Sequence, residues 1–223
     1  MLLRGIMRTA VEDEQIKVNP VALLRVPSYA KERPTLQSEE FDELLELAHP
    51  TMKLLLLVVA GTSCRLGEAL GLNAEHVDLK RGTVDIIQQF GRTADGLGLD
   101  VPKNGHARLA VPIFPEGLEA IREHLRDSPK IGSTPLLQNQ FGRRIGRRWI
   151  YEQMLDLREK TGLDWVRMHD IRHFSATAYA DAGAGLKEVM DRLGHSSPQT
   201  SLHYLHVSEK RSSELAKKVS LRA

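Results

Sequence analysis

Six side chains scattered along the sequence are of types that can do chemistry: Arg65, Lys103, His169, Arg172, His195 and Tyr204. Arg65 follows the apolar run Leu54 to Ala60 and the segment Gly61-Thr62-Ser63-Cys64, and Glu68 lies three residues on, on the same face of a helix. An unpaired charge beside a buried segment is costly, so Glu68 can hold the guanidinium rigid. An anchored arginine at the edge of a core suits a phosphate. His169 and Arg172, three residues apart at the start of a helical pattern, project together from a helix end that itself favours an anion.

Taken singly, each signal has a plainer meaning. A His-x-x-Arg pair is commonly a solvated helix face, and Lys103 beside Asn104-Gly105 is an ordinary solubilising residue. His195, nine residues before Tyr204, can satisfy helix-end carbonyls, and Tyr204 can be a half-buried aromatic. His203 and His206 flank Tyr204 in a His-x-x-His spacing, but no third ligand or cysteine lies nearby, so the spacing does not make a metal site.

The elements that must position these residues follow from periodicity. Leu3, Ile6, Met7, Ala10 and Val11 predict an amphipathic helix within residues 1 to 16, running into Asn19-Pro20. Its apolar face has no visible partner, so residues 1 to 26 read as the end of another domain, with a proline-bounded linker over 27 to 34. Ser38 is the expected cap of a helix with Glu39 and Glu40 in its first turn and Phe41, Leu44, Leu45 and Ala48 as its buried stripe. Met52 to Ala60, apolar all round, predicts a central helix, and a short one follows from about 66 to 72.

The period then changes to two. Val84 and Ile86, and later Leu109, Val111 and Ile113, alternate with neighbours of the other face, and Asn104-Gly105 is a hairpin signal, so a small antiparallel sheet is expected over about 75 to 113. Helices are expected again at about 116 to 126, 146 to 161, 169 to 182 and 186 to 193, with Gly183 and Gly194 as stops. Ser197-Pro198 opens a last short helix expected to carry Tyr204. The fold class is thus mainly α with a small antiparallel β-sheet.

Composition bounds the rest. The 223 residues suffice for a sizeable core, and a single cysteine, Cys64, excludes an intrachain disulfide framework and suits a reducing, cytoplasmic setting. The longest apolar run is far short of the roughly 18 to 20 residues of a bilayer-spanning helix, so no membrane partner is expected. A formal net charge of +2 says little about nucleic acid, and the cluster Arg143, Arg144, Arg147 and Arg148 is by itself a solvated face.

In chain order, however, five segments resemble the boxes of one family, the tyrosine recombinases or phage integrases. GTSCRLGEALGL resembles their first arginine box, PKNGHARLAVPI their lysine-bearing β-hairpin, and HDIRHFSATAYADAG their His-x-x-Arg helix. LGHSS resembles the Leu-Gly-His that follows, and TSLHYLH the tyrosine box. The resemblance covers roughly residues 35 to 210. Departures are small: Gly67 stands where serine is also frequent, and Ser201 where a second threonine often sits. Residues 1 to 26 look like the last helix of the family's preceding core-binding domain, with residues 35 to 223 as the catalytic domain.

The resemblance implies Arg65, Lys103, His169, Arg172 and His195 as the active-site set, Glu68 in support and Tyr204 as nucleophile, with no metal and no cofactor. Fixed arginines stabilise the charge that a phosphodiester gains under attack. A tyrosine hydroxyl, with an ordinary pKa near 10, must lose its proton to attack, and His169 is the acceptor that the resemblance implies. The departing 5′-oxygen needs a proton, a role that falls to Lys103, while His195 hydrogen-bonds a non-bridging oxygen. The implied activity is site-specific cutting and rejoining of double-stranded DNA through a 3′-phosphotyrosine, without ATP, by a homo-oligomer that is a tetramer on two DNA sites when full length. Two other classes compete: a catalytically silent DNA-binding accessory protein of the same fold, and a metal-dependent nuclease, which would need carboxylate clusters where these boxes hold mainly Arg, His and Lys.

Overall fold

The computed structural model describes residues 2–24, 34–103, 105–129, 131–202 and 204. The chain divides after Pro34 into two units. In the first, helix α1 (Leu2–Glu12) stops short of the expected residue 16, because Glu14 takes a left-handed φ of 58° and Gln15 turns back to donate to the Ala10 carbonyl at 2.9 Å. Asn19 Nδ2 donates to the Arg4 carbonyl at 3.2 Å, and Arg4 donates to that of Leu24. Most of the expected linker lies outside the described residues.

The second unit is built on α3 (Pro50–Thr62), whose residues Met52, Leu55, Leu56, Val58 and Val59 are buried. Helix α2 (Ser38–Leu47) lays Phe41 and Leu44 into the same core. Its cap is Gln37 rather than Ser38: Glu40 reaches back to accept from the Gln37 N–H at 2.8 Å, so the cap sits one residue earlier than expected. Helix α5 (Pro115–Asp127) crosses α3 at two glycines. A Cβ on Gly117 would stand 2.8 Å from the Leu57 carbonyl oxygen, and one on Gly61 would stand 3.0 Å from the Gly117 Cα, so only glycines allow this approach.

Between α3 and α5 lie α4 (Leu66–Gly71), a 3-10 turn (Ala74–His76) and five short strands. Strands β1 (Val77–Asp78), β2 (Thr83–Ile86) and β5 (Arg108–Pro112) form one antiparallel sheet in the order β1-β2-β5. Strands β3 (Gln89–Thr93) and β4 (Gly96–Asp100) form a separate hairpin. The expected sheet is therefore two sheets, and the hairpin turn is at Ala94 and Asp95, not at Asn104-Gly105. Gly105 does turn the chain, with φ 71° and its N–H on the Pro102 carbonyl at 2.7 Å, but inside a loop joining strands of different sheets. Asn104 itself is outside the described residues.

The register of β2 with β5 contains a bulge. Val84 faces Val111 and Ile86 faces Arg108, so Asp85 alone stands against Leu109 and Ala110. Ala110 takes a φ of 50°, and the Asp85 carboxylate accepts its N–H at 2.7 Å. The extra residue breaks the alternation expected over Leu109, Val111 and Ile113: Val111 and Ile113 are buried, but Leu109 is 67% exposed. It also turns Arg108 inward.

Among the described residues the remaining helices are α6 (Arg147–Thr161), α7 (Met168–Asp181), α8 (Leu186–Leu193) and α9 (Gln199–Leu202). Gly194 ends α8 with a left-handed φ of 61°, as expected of a stop glycine. Tyr204 is not on the short helix expected to carry it. α9 ends at Leu202, and Tyr204 follows in a turn, donating its N–H to the Ser201 carbonyl at 3.1 Å. Of the basic cluster, Arg143, Arg147 and Arg148 are exposed, but Arg144 tucks inward and donates to the carbonyls of Leu70 and Leu72 at 2.8 and 3.0 Å. No helix among the described residues is long and apolar enough to cross a membrane.

Candidate active site

Helix α3 ends at Ser63, which takes a left-handed φ of 53°, and two residues later Arg65 is the N-cap of α4. The capping residue three positions on is Glu68, whose side chain is 1% exposed. Its Oε2 accepts the Arg65 N–H at 2.7 Å and its Oε1 accepts from Arg65 Nη1 at 2.8 Å. The same Oε2 takes a bond from Arg108 Nη2 and lies 3.8 Å from Arg172 Nη1. One buried carboxylate thus orients three guanidiniums, brought from α4, β5 and α7.

The neighbouring Cys64 thiol supplies no second anion, because burial, reinforced by Glu68, pushes its pKa up to about 11. Burial, then Arg65, lowers that of Arg172 to about 10, which leaves the guanidinium charged at neutral pH. The cluster carries more positive than negative charge, and Arg172 Nη1 is buried without a hydrogen-bond partner. That excess is the complement of an anion. Removing Glu68 leaves buried charge uncompensated, so Glu68→Ala should cost about 3–5 kcal/mol. At about 2–4 °C per kcal/mol, the thermal midpoint should fall on the order of 10 °C; a midpoint within a degree of the parent would show that the carboxylate does not hold the cluster.

The other groups arrive from the chain's C-terminal helices. Arg172 Nη2 donates to the Leu193 carbonyl at 2.6 Å and to His195 Nε2 at 3.3 Å. A guanidinium can only donate, so Nε2 of His195 accepts here and its Nδ1 carries the proton, bonded to Ser201 Oγ at 2.8 Å. His169, in the first turn of α7, keeps an exposed edge, while desolvation of its inner side, then Arg172, holds its pKa below the ordinary imidazole value, so it is neutral at pH 7. Arg65, His169, Arg172, His173, His195, Ser196, Thr200 and Tyr204 line one cavity of about 340 Å³. Tyr204 is 4% exposed, and burial, opposed by Arg172, pushes its hydroxyl pKa up to about 12.

Five of the six sequence-singled residues therefore meet in one place. Lys103 does not: it is exposed in the β4–β5 loop and is not among the residues lining the cavity. Its neighbours His106 and Ala107 do line a larger cleft of about 540 Å³ that shares Arg65 and His195 with the first. His203 and His206 lie outside the described residues, and no group of three His, Cys, Asp or Glu suited to a metal occurs among the described ones.

Three residues at the site were not picked out as part of it. Arg108, inside the segment PKNGHARLAVPI, is not marked out by its spacing, yet its guanidinium bonds Glu68. Arg192 donates to Ser63 Oγ at 2.8 Å, to the Pro112 carbonyl at 2.9 Å and to that of Gly61 at 2.7 Å. Its guanidinium lies 3.8 Å from the centre of the Phe114 ring, and so pins the end of α8, just before His195, to the end of α3, just before Arg65. His173 is hydrogen-bonded through Nδ1 to the Tyr204 hydroxyl. Only the Arg-His doublet that follows His-x-x could have flagged it.

Comparison with known proteins agrees with this architecture. A fragment of the Tn1549 transposon integrase, solved in complex with a circular intermediate DNA, superposes with a TM-score of 0.79 at 19% identity, covering 97% of this chain and 76% of that one. The fold is thus that of tyrosine recombinase catalytic domains. The phage integrase family profile matches residues 34–211, and the chain belongs to that family. The integrase of Mycobacterium phage L5 is 29% identical over 98% of this chain, and a putative prophage phiRv2 integrase of Mycobacterium tuberculosis is 30% identical over 96%. The chain spans 60% and 59% of the lengths of these two relatives.

Proposed function

We propose that this chain is the catalytic part of a site-specific DNA recombinase that cuts and rejoins strands through a 3′-phosphotyrosine on Tyr204. The observation that carries the reading is the shared cavity: a tyrosine hydroxyl faces two glutamate-oriented arginines, and their unbalanced charge suits a phosphodiester. Arg65 and Arg172 hold the non-bridging oxygens and stabilise the charge that grows on them during attack. His195 adds a donor once a phosphate oxygen replaces the Arg172 contact and its Nε2 is protonated. Tyr204 Oη bonds to phosphorus as the bond to the 5′-oxygen breaks. The phosphotyrosine keeps the energy of that ester, so a second 5′-hydroxyl reseals the strand without ATP.

Residues 1–26 are read as the end of a preceding core-binding domain, 27–34 as a linker and 35–223 as the catalytic domain. The partner is double-stranded DNA held by a homo-oligomer, a tetramer on two sites in the full-length protein, in the cytoplasm. The test uses a pool of nicked duplexes with a randomised core, from which the nicked end diffuses after cleavage and traps the intermediate. A covalent protein–DNA band on a denaturing gel, undiminished by excess chelator, is the expected result. A band that chelator removes would favour a metal-dependent nuclease, and bound DNA with no band would favour the silent accessory protein.

Lys103 is assigned the proton donor to the leaving 5′-oxygen, with the β4–β5 loop carrying it in. An alkoxide must be protonated as it departs, whereas a thiolate leaves without help. Lys103→Ala should therefore slow cleavage of a trapped duplex by about 10²-fold or more, but leave unchanged the rate on the same duplex with sulfur at the bridging 5′ position. Equal slowing on both DNAs would remove Lys103 from this role and pass it to His106 or Arg108.

A further inference from the structure

A buried tyrosine with its hydroxyl pKa near 12 does not ionise at neutral pH, so the attack needs a proton acceptor already in contact with the oxygen. Two imidazoles line the cavity from α7, one helical turn apart: His169 and His173. Family resemblance assigns the task to His169. The hydrogen bond is made by the other one: Tyr204 Oη meets His173 Nδ1, with the two rings 5.4 Å apart and tilted by 37°. His169 instead packs its ring edge-to-face against that of His173, centre to centre 4.3 Å.

We propose that His173 takes the proton from Tyr204 as the phosphodiester is attacked and returns it when the strand is resealed. This rests on Tyr204 being the nucleophile. In the forward step the Tyr204 O–H bond breaks as its oxygen bonds to phosphorus, the proton passes to His173 Nδ1, and the 5′-oxygen departs with a proton from the general acid. In the reverse step the phenolate leaves phosphorus and recovers its proton from the His173 imidazolium. For Nδ1 to accept, the resting proton of His173 must sit on Nε2. The contact with His169 helps, because that ring is held neutral by desolvation and by Arg172 and so presents no second positive charge to the imidazolium. His169 keeps the exposed place beside Arg65 and Arg172, where it contacts the phosphate rather than the phenol.

The test compares His173→Asn, His173→Ala and His169→Asn, each with Tyr204 and with 3-fluorotyrosine at position 204, whose phenol is more acidic. Asparagine keeps a side-chain acceptor near the Nδ1 position but cannot take a proton. The measurement is single-turnover adduct formation on a nicked duplex recovered from the randomised pool, with DNA binding and thermal midpoint measured alongside. Both His173 variants should slow adduct formation by about 10²-fold or more while binding DNA as the parent does. Fluorotyrosine should restore roughly tenfold of that loss in His173→Asn and none in His169→Asn, because only a missing base is compensated by a more acidic nucleophile. A parent-like rate in His173→Asn, a loss that fluorotyrosine does not relieve, or relief in His169→Asn instead would each overturn the assignment. Absence of any adduct in the parent chain would strike at the nucleophile itself and not at His173.

Discussion

Tyr204→Phe is expected to give no covalent adduct on any nicked duplex while binding DNA as the parent does. The change removes one oxygen and keeps the ring, so the packing that leaves Tyr204 4% exposed persists. What is lost inside the protein is one hydrogen bond to His173, worth about 1 kcal/mol, which leaves the fold intact. With Tyr204 as the proposed nucleophile, the atom that would bond to phosphorus is gone, so the rate should fall to background rather than by a factor. The other described tyrosines offer no substitute. Tyr151 is 61% exposed on α6, and Tyr179 packs 4.8 Å from the Arg192 guanidinium, away from the lining of the catalytic cavity. Tyr29 lies outside the described residues. An undiminished band in the phenylalanine variant, or an adduct mapped by peptide mass to another tyrosine, would reject the assignment.

How much of this was legible in the sequence depended on the distance over which each feature is decided. Helices α3, α5, α6, α7 and α8 are set by local periodicity, by Pro at the first position of α3 and α5 and by stop glycines, and their spans match the expected ones within about two residues, the usual uncertainty of helix ends. Arg65 and Glu68 were legible as a pair for the same reason: three residues of helix settle their contact. The strands were read less well. Whether Arg108 follows a hairpin or enters a second sheet depends on which strands find each other, and a bulge whose extra N–H is taken up by Asp85, 25 residues earlier, leaves no local trace. Arg192 is the extreme case. Its partners are 129, 80 and 131 residues away, and within its own helix it is simply a basic residue in the last turn. His173 lies inside a segment that the resemblance marks, yet the His-x-x-Arg spacing points to Arg172, and its bond to Tyr204 is set by a return of the chain 31 residues later.

Arg172→Lys should lower single-turnover cleavage by about 10²- to 10³-fold, the cost of losing one fixed donor to a developing oxyanion, while changing DNA affinity only a few-fold. The guanidinium now does two things that an ammonium cannot do together. Its Nη2 bonds the Leu193 carbonyl and His195 Nε2, and its Nη1 faces Glu68 and remains without a hydrogen-bond partner. A lysine placed there has one nitrogen to share among Glu68, the Leu193 carbonyl and a phosphate oxygen, and lacks the planar fork that meets two of them at fixed angles. The charge survives but its direction does not. DNA binding draws on many basic residues and on salt, whereas the transition state draws on this one geometry, so the loss must appear in the chemical step. Arg65→Lys should behave in the same way but less severely, since the Arg65 side chain is 27% exposed against 2% for Arg172 and water can replace part of what it supplies. Cleavage by the Arg172 variant at the parent rate, with its thermal midpoint unchanged, would mean that the buried fork is a structural brace and that the phosphate is held elsewhere.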